Sequence, residues 1–132
     1  MSLKILVIDD EEDILKIIQC SLESQEGFVV KCVNSGEEAL REAQKFQPDF
    51  ILLDFLMPGM DGVATYKAFQ NIPALAQIPV VILTAFSDET KTQELLSLGI
   101  ADVIIKPFDP WNLPSQIRSI LTRYQQAKKN HG

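Results

Sequence analysis

Five short apolar runs, spaced by amphipathic segments, most constrain what this chain can fold into. The runs are Lys4–Ile8, Phe28–Val33, Phe50–Leu53, Pro79–Leu83 and Asp102–Ile105. Runs one, three, four and five are nearly unbroken and rich in β-branched residues, as strands buried on both faces should be. The second alternates more, which suits a strand nearer a sheet edge. The intervening segments follow a helical period. Ile14, Leu15, Ile17, Ile18 and Leu22 define the first. Ser35 and Glu38 form a capping box opening the second, which carries Ala39, Leu40, Ala43 and Phe46. Val63, Tyr66, Ala68 and Phe69 mark the third, ended before Pro73. The fourth is capped by Ser87 or Asp88, turns Leu95, Leu96 and Leu98 inward and stops at Gly99. Asp109 and Pro110 open the fifth as N-cap and first helical residue, followed by Ile117, Ile120, Leu121 and Tyr124.

Strict strand–helix alternation predicts an α/β fold, a doubly wound parallel five-stranded sheet with right-handed crossovers and helices on both faces. At 132 residues there is room for one domain with a real core. The reading places that domain at 1–124, with 125–132 as a fraying helix end or the start of a linker. The formal net charge of -6 disfavours direct contact with a phosphate backbone, so no nucleic acid is expected as a partner. Lys128 and Lys129 read as a solvated end, and His131 as an incidental tail residue. No apolar run reaches the roughly 20 residues of a membrane span, and the N-terminus lacks signal-peptide organisation. Cys20 and Cys32 sit within apolar patterns without metal-ligand spacing and are expected to be reduced core or near-core thiols. A cytoplasmic location is the default expectation.

In an open parallel sheet, ligands bind beyond the carboxyl ends of the strands, where strand order reverses. The first run ends in Asp9, Asp10 and Glu11, the third in Asp54, the fourth in Thr84 and the fifth in Lys106. Taken singly, each has a plain use. Asp9 or Asp10 could cap a helix, Thr84 could be a strand-end hydroxyl, and Lys106 could be a snorkelling lysine. Asp54, between Leu53 and Phe55, is a costly place for a charge unless it is solvated, paired or bound to metal. Together they converge on one rim. Clustered carboxylates need a cation, and oxygen donors without nearby Cys or His favour Mg²⁺ over Zn²⁺. A carboxylate beside such a cation can attack phosphorus to give an aspartyl phosphate, with an ammonium and a hydroxyl neutralising the phosphoryl oxygens.

At these positions the chain resembles the receiver domain of two-component response regulators. The matching motifs are Ile8-Asp9-Asp10-Glu11, Leu53-Asp54-Phe55-Leu56-Met57-Pro58-Gly59-Met60-Asp61-Gly62, Leu83-Thr84-Ala85 and Lys106-Pro107-Phe108. The resemblance covers residues 3 to about 124. It implies the flavodoxin-like strand order 2-1-3-4-5, with Asp54 as phosphoacceptor and Thr84 as switch hydroxyl. Lys106 would pair with the phosphoryl group. Asp9 and Asp10 would hold Mg²⁺ beside Asp54, with the Leu56 carbonyl as a further ligand. The Lys106–Pro107 position is one where the family has a cis bond. A sensor histidine kinase or phosphotransfer protein would supply the phosphoryl group. The output surface would be the face of the fourth helix, fifth strand and fifth helix, presenting Lys91, Glu94 and Gln116. The output domain or partner is not named by the sequence, and a homodimer stays open.

One position departs from the family pattern. Where receivers carry an aromatic that follows the threonine, this chain has Val103, whose stiff side chain cannot swing in that way. The switch is therefore expected to use backbone movement of the Thr84–Asp88 loop. Leu56 and Phe86 are apolar where they would flank the attacking water, so slow self-dephosphorylation is expected. A turnover enzyme with an aspartyl-phosphate intermediate would add a carboxylate two residues after the nucleophile, which here is Leu56. A phosphorylation-independent binding module would not be expected to retain Asp9, Asp10, Asp54, Thr84 and Lys106 together.

Overall fold

The five apolar runs and the helical segments between them fold as a single open sheet with helices on both sides. The structure is a computed structural model that describes residues 2–86 and 88–131. Ser87, one of the two candidate caps, lies outside the described residues, as do the side chains of Lys128, Lys129 and His131. The elements in chain order are β1 (Leu3–Ile8), α1 (Glu12–Glu23), β2 (Phe28–Val33), α2 (Gly36–Phe46) and β3 (Phe50–Asp54). They continue with α3 (Gly62–Gln70), β4 (Val80–Thr84), α4 (Glu89–Ser97), β5 (Asp102–Ile105) and α5 (Leu113–His131). The five strands are parallel in the order β2-β1-β3-β4-β5.

Alternation along each strand divides the core into two layers. Leu6 and Ile8 of β1, Ile51 and Leu53 of β3, and Val80 and Ile82 of β4 pack with Ala39, Ala43, Tyr66, Phe69 and Leu95 from α2, α3 and α4. Their alternates, Ile5, Val7, Phe50, Leu52, Val81 and Leu83, pack with Leu15, Ile18, Leu22, Leu113, Ile117 and Ile120 from α1 and α5. The central strands β1, β3 and β4 are covered on both faces, which is why their sequences are unbroken apolar runs.

Helix ends follow local chemistry. Ser35 accepts from the Glu38 amide at 3.2 Å, Asp61 from Ala64 at 2.9 Å and Asp88 from Thr90 at 2.9 Å, each satisfying an orphan N–H of a first turn. Gly99 follows α4 with φ +106, the left-handed position that only glycine takes without strain.

Several expectations are corrected. Neither Asp9 nor Asp10 is the N-cap of α1; Glu11 holds that position without a side-chain cap bond. β5 is an edge strand in which Ile105 is 38% exposed, so its apolar run does not signal burial on both faces. Ile17 and Leu98 are exposed, and so is Cys20, which is no core thiol. Cys32 is half-buried and free, and burial pushes its thiol up to about 11. Asp109 and Pro110 open a turn and not α5 itself. Asp109 Oδ1 accepts the Trp111 amide and its carbonyl accepts the Asn112 amide, after which α5 begins at Leu113. That turn is joined to α1 by a hydrogen bond from the Ser21 hydroxyl to the Pro110 carbonyl, and it leaves Trp111 89% exposed. Residues 125–131 continue α5 without a break.

Candidate functional site

The strand order reverses between β1 and β3, since β2 lies to one side of β1 and β3 to the other. The crevice opened there receives the C-terminal ends of the strands. In-register pairing of Ile8 with Leu53, Asp54 with Leu83 and Thr84 with Ile105 brings those ends level. A cleft of about 140 Å³ lies over them, lined by Glu11, Asp54, Phe55, Leu56, Thr84, Ala85 and Lys106.

Lys106 is the hub of the charges. Its ammonium donates to Asp54 Oδ1 at 3.0 Å and to Asp9 Oδ2 at 3.1 Å, and lies 3.9 Å from Glu11 Oε1. Asp9 is fully buried and Asp54 is 5% exposed, so neither carboxylate has bulk water to stabilise it. The second oxygen of Asp9 accepts the Glu11 amide at 2.9 Å. One ammonium against three carboxylates leaves the rim short of positive charge. Burial pushes the Asp54 carboxyl up from 3.8 to about 6; the Lys106 hydrogen bond opposes this, while Asp9 and Asp10 add to it. For Lys106, burial alone would lower the pKa, but hydrogen bonds to Asp54 and Asp9 outweigh it and hold the ammonium above its ordinary value. The Lys106–Pro107 peptide bond is cis.

Asp9, Asp10 and Asp54 each direct an oxygen into one cluster whose members lie within 4.8 Å of one another. This all-oxygen, strongly acidic donor set fits a hard divalent cation. Asp10 is exposed, which leaves room for water on a bound ion. The loop carrying Leu56 is pinned against the acceptor by Gly62. The Gly62 amide donates to the Phe55 carbonyl at 3.1 Å, and a Cβ there would meet the Asp54 carbonyl oxygen at 2.4 Å.

The structure thus brings Asp9, Asp10, Asp54, Leu56, Thr84 and Lys106 to one place, while Val103 lies elsewhere. Val103 is half-buried against the α2–α3–α4 side of the core and lines an open groove along α5 with Gln116 and Ser119. Glu11, one of the strand-end carboxylates expected on this rim, reaches the cleft as a third carboxylate near Lys106. One feature was not read from the sequence. Thr84 Oγ1 accepts the Phe86 amide at 3.0 Å, a local turn that a Thr followed two residues later by a free N–H could have suggested.

Comparison with known proteins places this geometry in context. Residues 5–118 match the family described as response regulator receiver domain. The chain is 40% identical over 128 residues to the probable transcriptional regulator ycf27 of Porphyridium aerugineum, covering 97% of this chain and 52% of that protein. It is 37% identical over 127 residues to the alkaline phosphatase synthesis transcriptional regulatory protein PhoP of Bacillus subtilis, covering 96% and 52%. The chain therefore spans about half the length of these relatives. Among solved structures it resembles the chemotaxis response regulator CheY4 of Vibrio cholerae, with TM-score 0.84 and 30% identity over 91% of this chain and 99% of that one. The Francisella response regulator 1452 receiver domain superposes with TM-score 0.82 at 29% identity, covering 92% and 98%.

Proposed function

The chain belongs to the response regulator receiver domain family, and on that premise we propose that Asp54 is its phosphoacceptor. The observation that carries the assignment is the buried Asp54 carboxylate held by Lys106 in the cleft at the switch point. A histidine kinase or phosphotransfer protein presents a phosphohistidine. An Asp54 carboxylate oxygen forms the new O–P bond as the P–N bond breaks, and that electron pair leaves on the imidazole nitrogen. Lys106 neutralises a phosphoryl oxygen and Thr84 donates its hydroxyl proton to another. Asp9, Asp10, Asp54 and the Leu56 carbonyl would hold Mg²⁺, which supplies charge neutralisation and orientation of the phosphoryl oxygens. The domain runs to about residue 124 and turns over no external substrate. The modified state biases an inactive–active equilibrium on the α4–β5–α5 face, where Lys91 and Glu94 are exposed, toward an output partner.

The test is incubation with Mg²⁺ and acetyl phosphate, followed by intact mass. One phosphoryl group per chain is expected, falling to none in Asp54→Asn. Undiminished incorporation in that variant, or continuous turnover of acetyl phosphate far beyond what slow phosphate loss allows, contradicts the proposal.

Leu56 is 61% exposed and Phe86 41% exposed, so both form an apolar rim beside the acceptor. Neither can orient a water for attack on the aspartyl phosphate. Replacing Leu56 with Asn and Phe86 with Gln together should hasten phosphate loss about tenfold, equivalent to about 1.4 kcal/mol of barrier. Timed loss of radiolabel reads this directly, and an unchanged half-life refutes it.

A further inference from the structure

We propose that Phe86 carries the signal of phosphorylation from Thr84 to the first turn of α4, a role that Val103 cannot fill; this rests on Asp54 being the phosphoacceptor. Three contacts converge on Phe86. Its backbone amide donates to Thr84 Oγ1 at 3.0 Å. Its ring packs edge-on against Phe55, with centroids 5.7 Å apart and planes at 89°, and Phe55 directly follows Asp54 in the chain. The Lys91 ammonium lies 5.9 Å from the centre of the same ring, and Lys91 belongs to the first turn of α4. One residue thus joins the switch hydroxyl, through its backbone amide, to the neighbour of the acceptor and the helix expected to respond, through its ring.

A hydroxyl has one proton to give and two lone pairs to accept with. Among the described residues the Thr84 hydroxyl accepts from Phe86 and donates to no protein atom. A phosphoryl oxygen on Asp54 is the natural partner for that proton, because both side chains line the same cleft. Drawing the hydroxyl toward it moves the acceptor that holds the Phe86 amide. An amide that loses its partner carries a free-energy penalty, so the Phe86 backbone follows or finds a new acceptor. The half-exposed ring then shifts across the Phe55 edge, and the ammonium of Lys91 shifts with the ring face that attracts it. The signal leaves through an aromatic on the β4–α4 loop, and position 103 needs no rotamer change.

Backbone amide NMR of α4 tests this when Mg²⁺ and beryllofluoride, a static stand-in for the phosphoryl group, are added. In the wild type, amides at Asp54 and Phe55 and those of Thr90 to Thr92 should all move. In Lys91→Gln, an exposed change outside the cleft, the site amides should respond fully and the α4 shifts should fall by at least half. Phe86→Ala should abolish the α4 shifts while the site amides still move, and Phe86→Tyr should restore them. Val103→Ala should respond as the wild type does. Undiminished α4 shifts in Phe86→Ala and Lys91→Gln, or their loss in Val103→Ala, overturn the relay. Silence at Asp54 in the wild type overturns the phosphoacceptor assignment first, and the relay with it.

Discussion

Replacing Lys106 with methionine is expected to destabilise the Mg²⁺-free protein by about 3 kcal/mol at pH 7, the low end of the cost of removing one partner from a buried ion pair. The low end applies because the lysine side chain is 17% exposed. Methionine retains most of the apolar stem, so the loss reflects charge and not packing. Asp9 and Asp54 would then face each other across the crevice with no cation between them. Without the Lys106 hydrogen bond that opposes it, the Asp54 pKa should rise further. The native variant would therefore bind a proton that its unfolded chain has already released, and the deficit should shrink as pH falls from 7 to 5. Added Mg²⁺ should recover part of the loss by supplying the missing positive charge. Urea melts at both pH values, with and without Mg²⁺, read all of this. Equal midpoints for wild type and variant at pH 7 would show that the ammonium is not what holds the two carboxylates.

Asp54→Asn should have the opposite effect. A carboxyl raised from 3.8 to about 6 in the folded state favours folding below pH 4, where both states are protonated. That advantage is lost as pH rises through 6, because the native state must then hold a charge it disfavours. The shift corresponds to at most about 3 kcal/mol, and part of it survives as the Lys106 contact. Asparagine removes the charge and keeps an oxygen for Lys106. The variant should be about 2 kcal/mol more stable than the wild type at pH 7 without Mg²⁺, with a flatter profile between pH 4 and 6. In the wild type, Mg²⁺ at a hundredfold over its dissociation constant adds about 2.7 kcal/mol, and most of that gain should vanish in the variant. A variant less stable than the wild type in Mg²⁺-free buffer would contradict this account. The proposed phosphoacceptor is thus a carboxylate that costs the fold stability until a cation arrives.

Strand positions, their parallel pairing and the convergence of Asp9, Asp10, Asp54, Thr84 and Lys106 were legible because unbroken apolar runs of strand length and strand-end chemistry are local signals. Exposure was less legible. Ile17 and Leu98 keep helical spacing yet face outward, because apolar periodicity marks a stripe wider than the part that a neighbour covers. In β5, Val103 and Ile105 read like β4 residues, and only the strand order shows that β5 is the edge of the sheet among the described residues. Asp109-Pro110 has the form of a helix start, but the Asp109 bonds close a turn before Leu113 can begin α5. The bridging of several carboxylates by Lys106 joins residues 52 and 97 positions apart, a relation that local spacing cannot specify.

The turn ahead of α5 has an optical consequence. It places the chain's one tryptophan, Trp111, almost wholly in water. The indole already has in the native protein the solvent shell that it has in the unfolded chain. Its emission should therefore be red-shifted at the outset and change little on melting, so circular dichroism is the better readout for the denaturation experiments above. The same fluorophore lies two residues beyond Asp109 on the loop that leads away from Lys106. There it lines a groove with Ile17, Cys20 and Gln25, so it is a built-in reporter for any molecule that docks against α1 at that groove: a blue shift would mark the moment when the indole is covered.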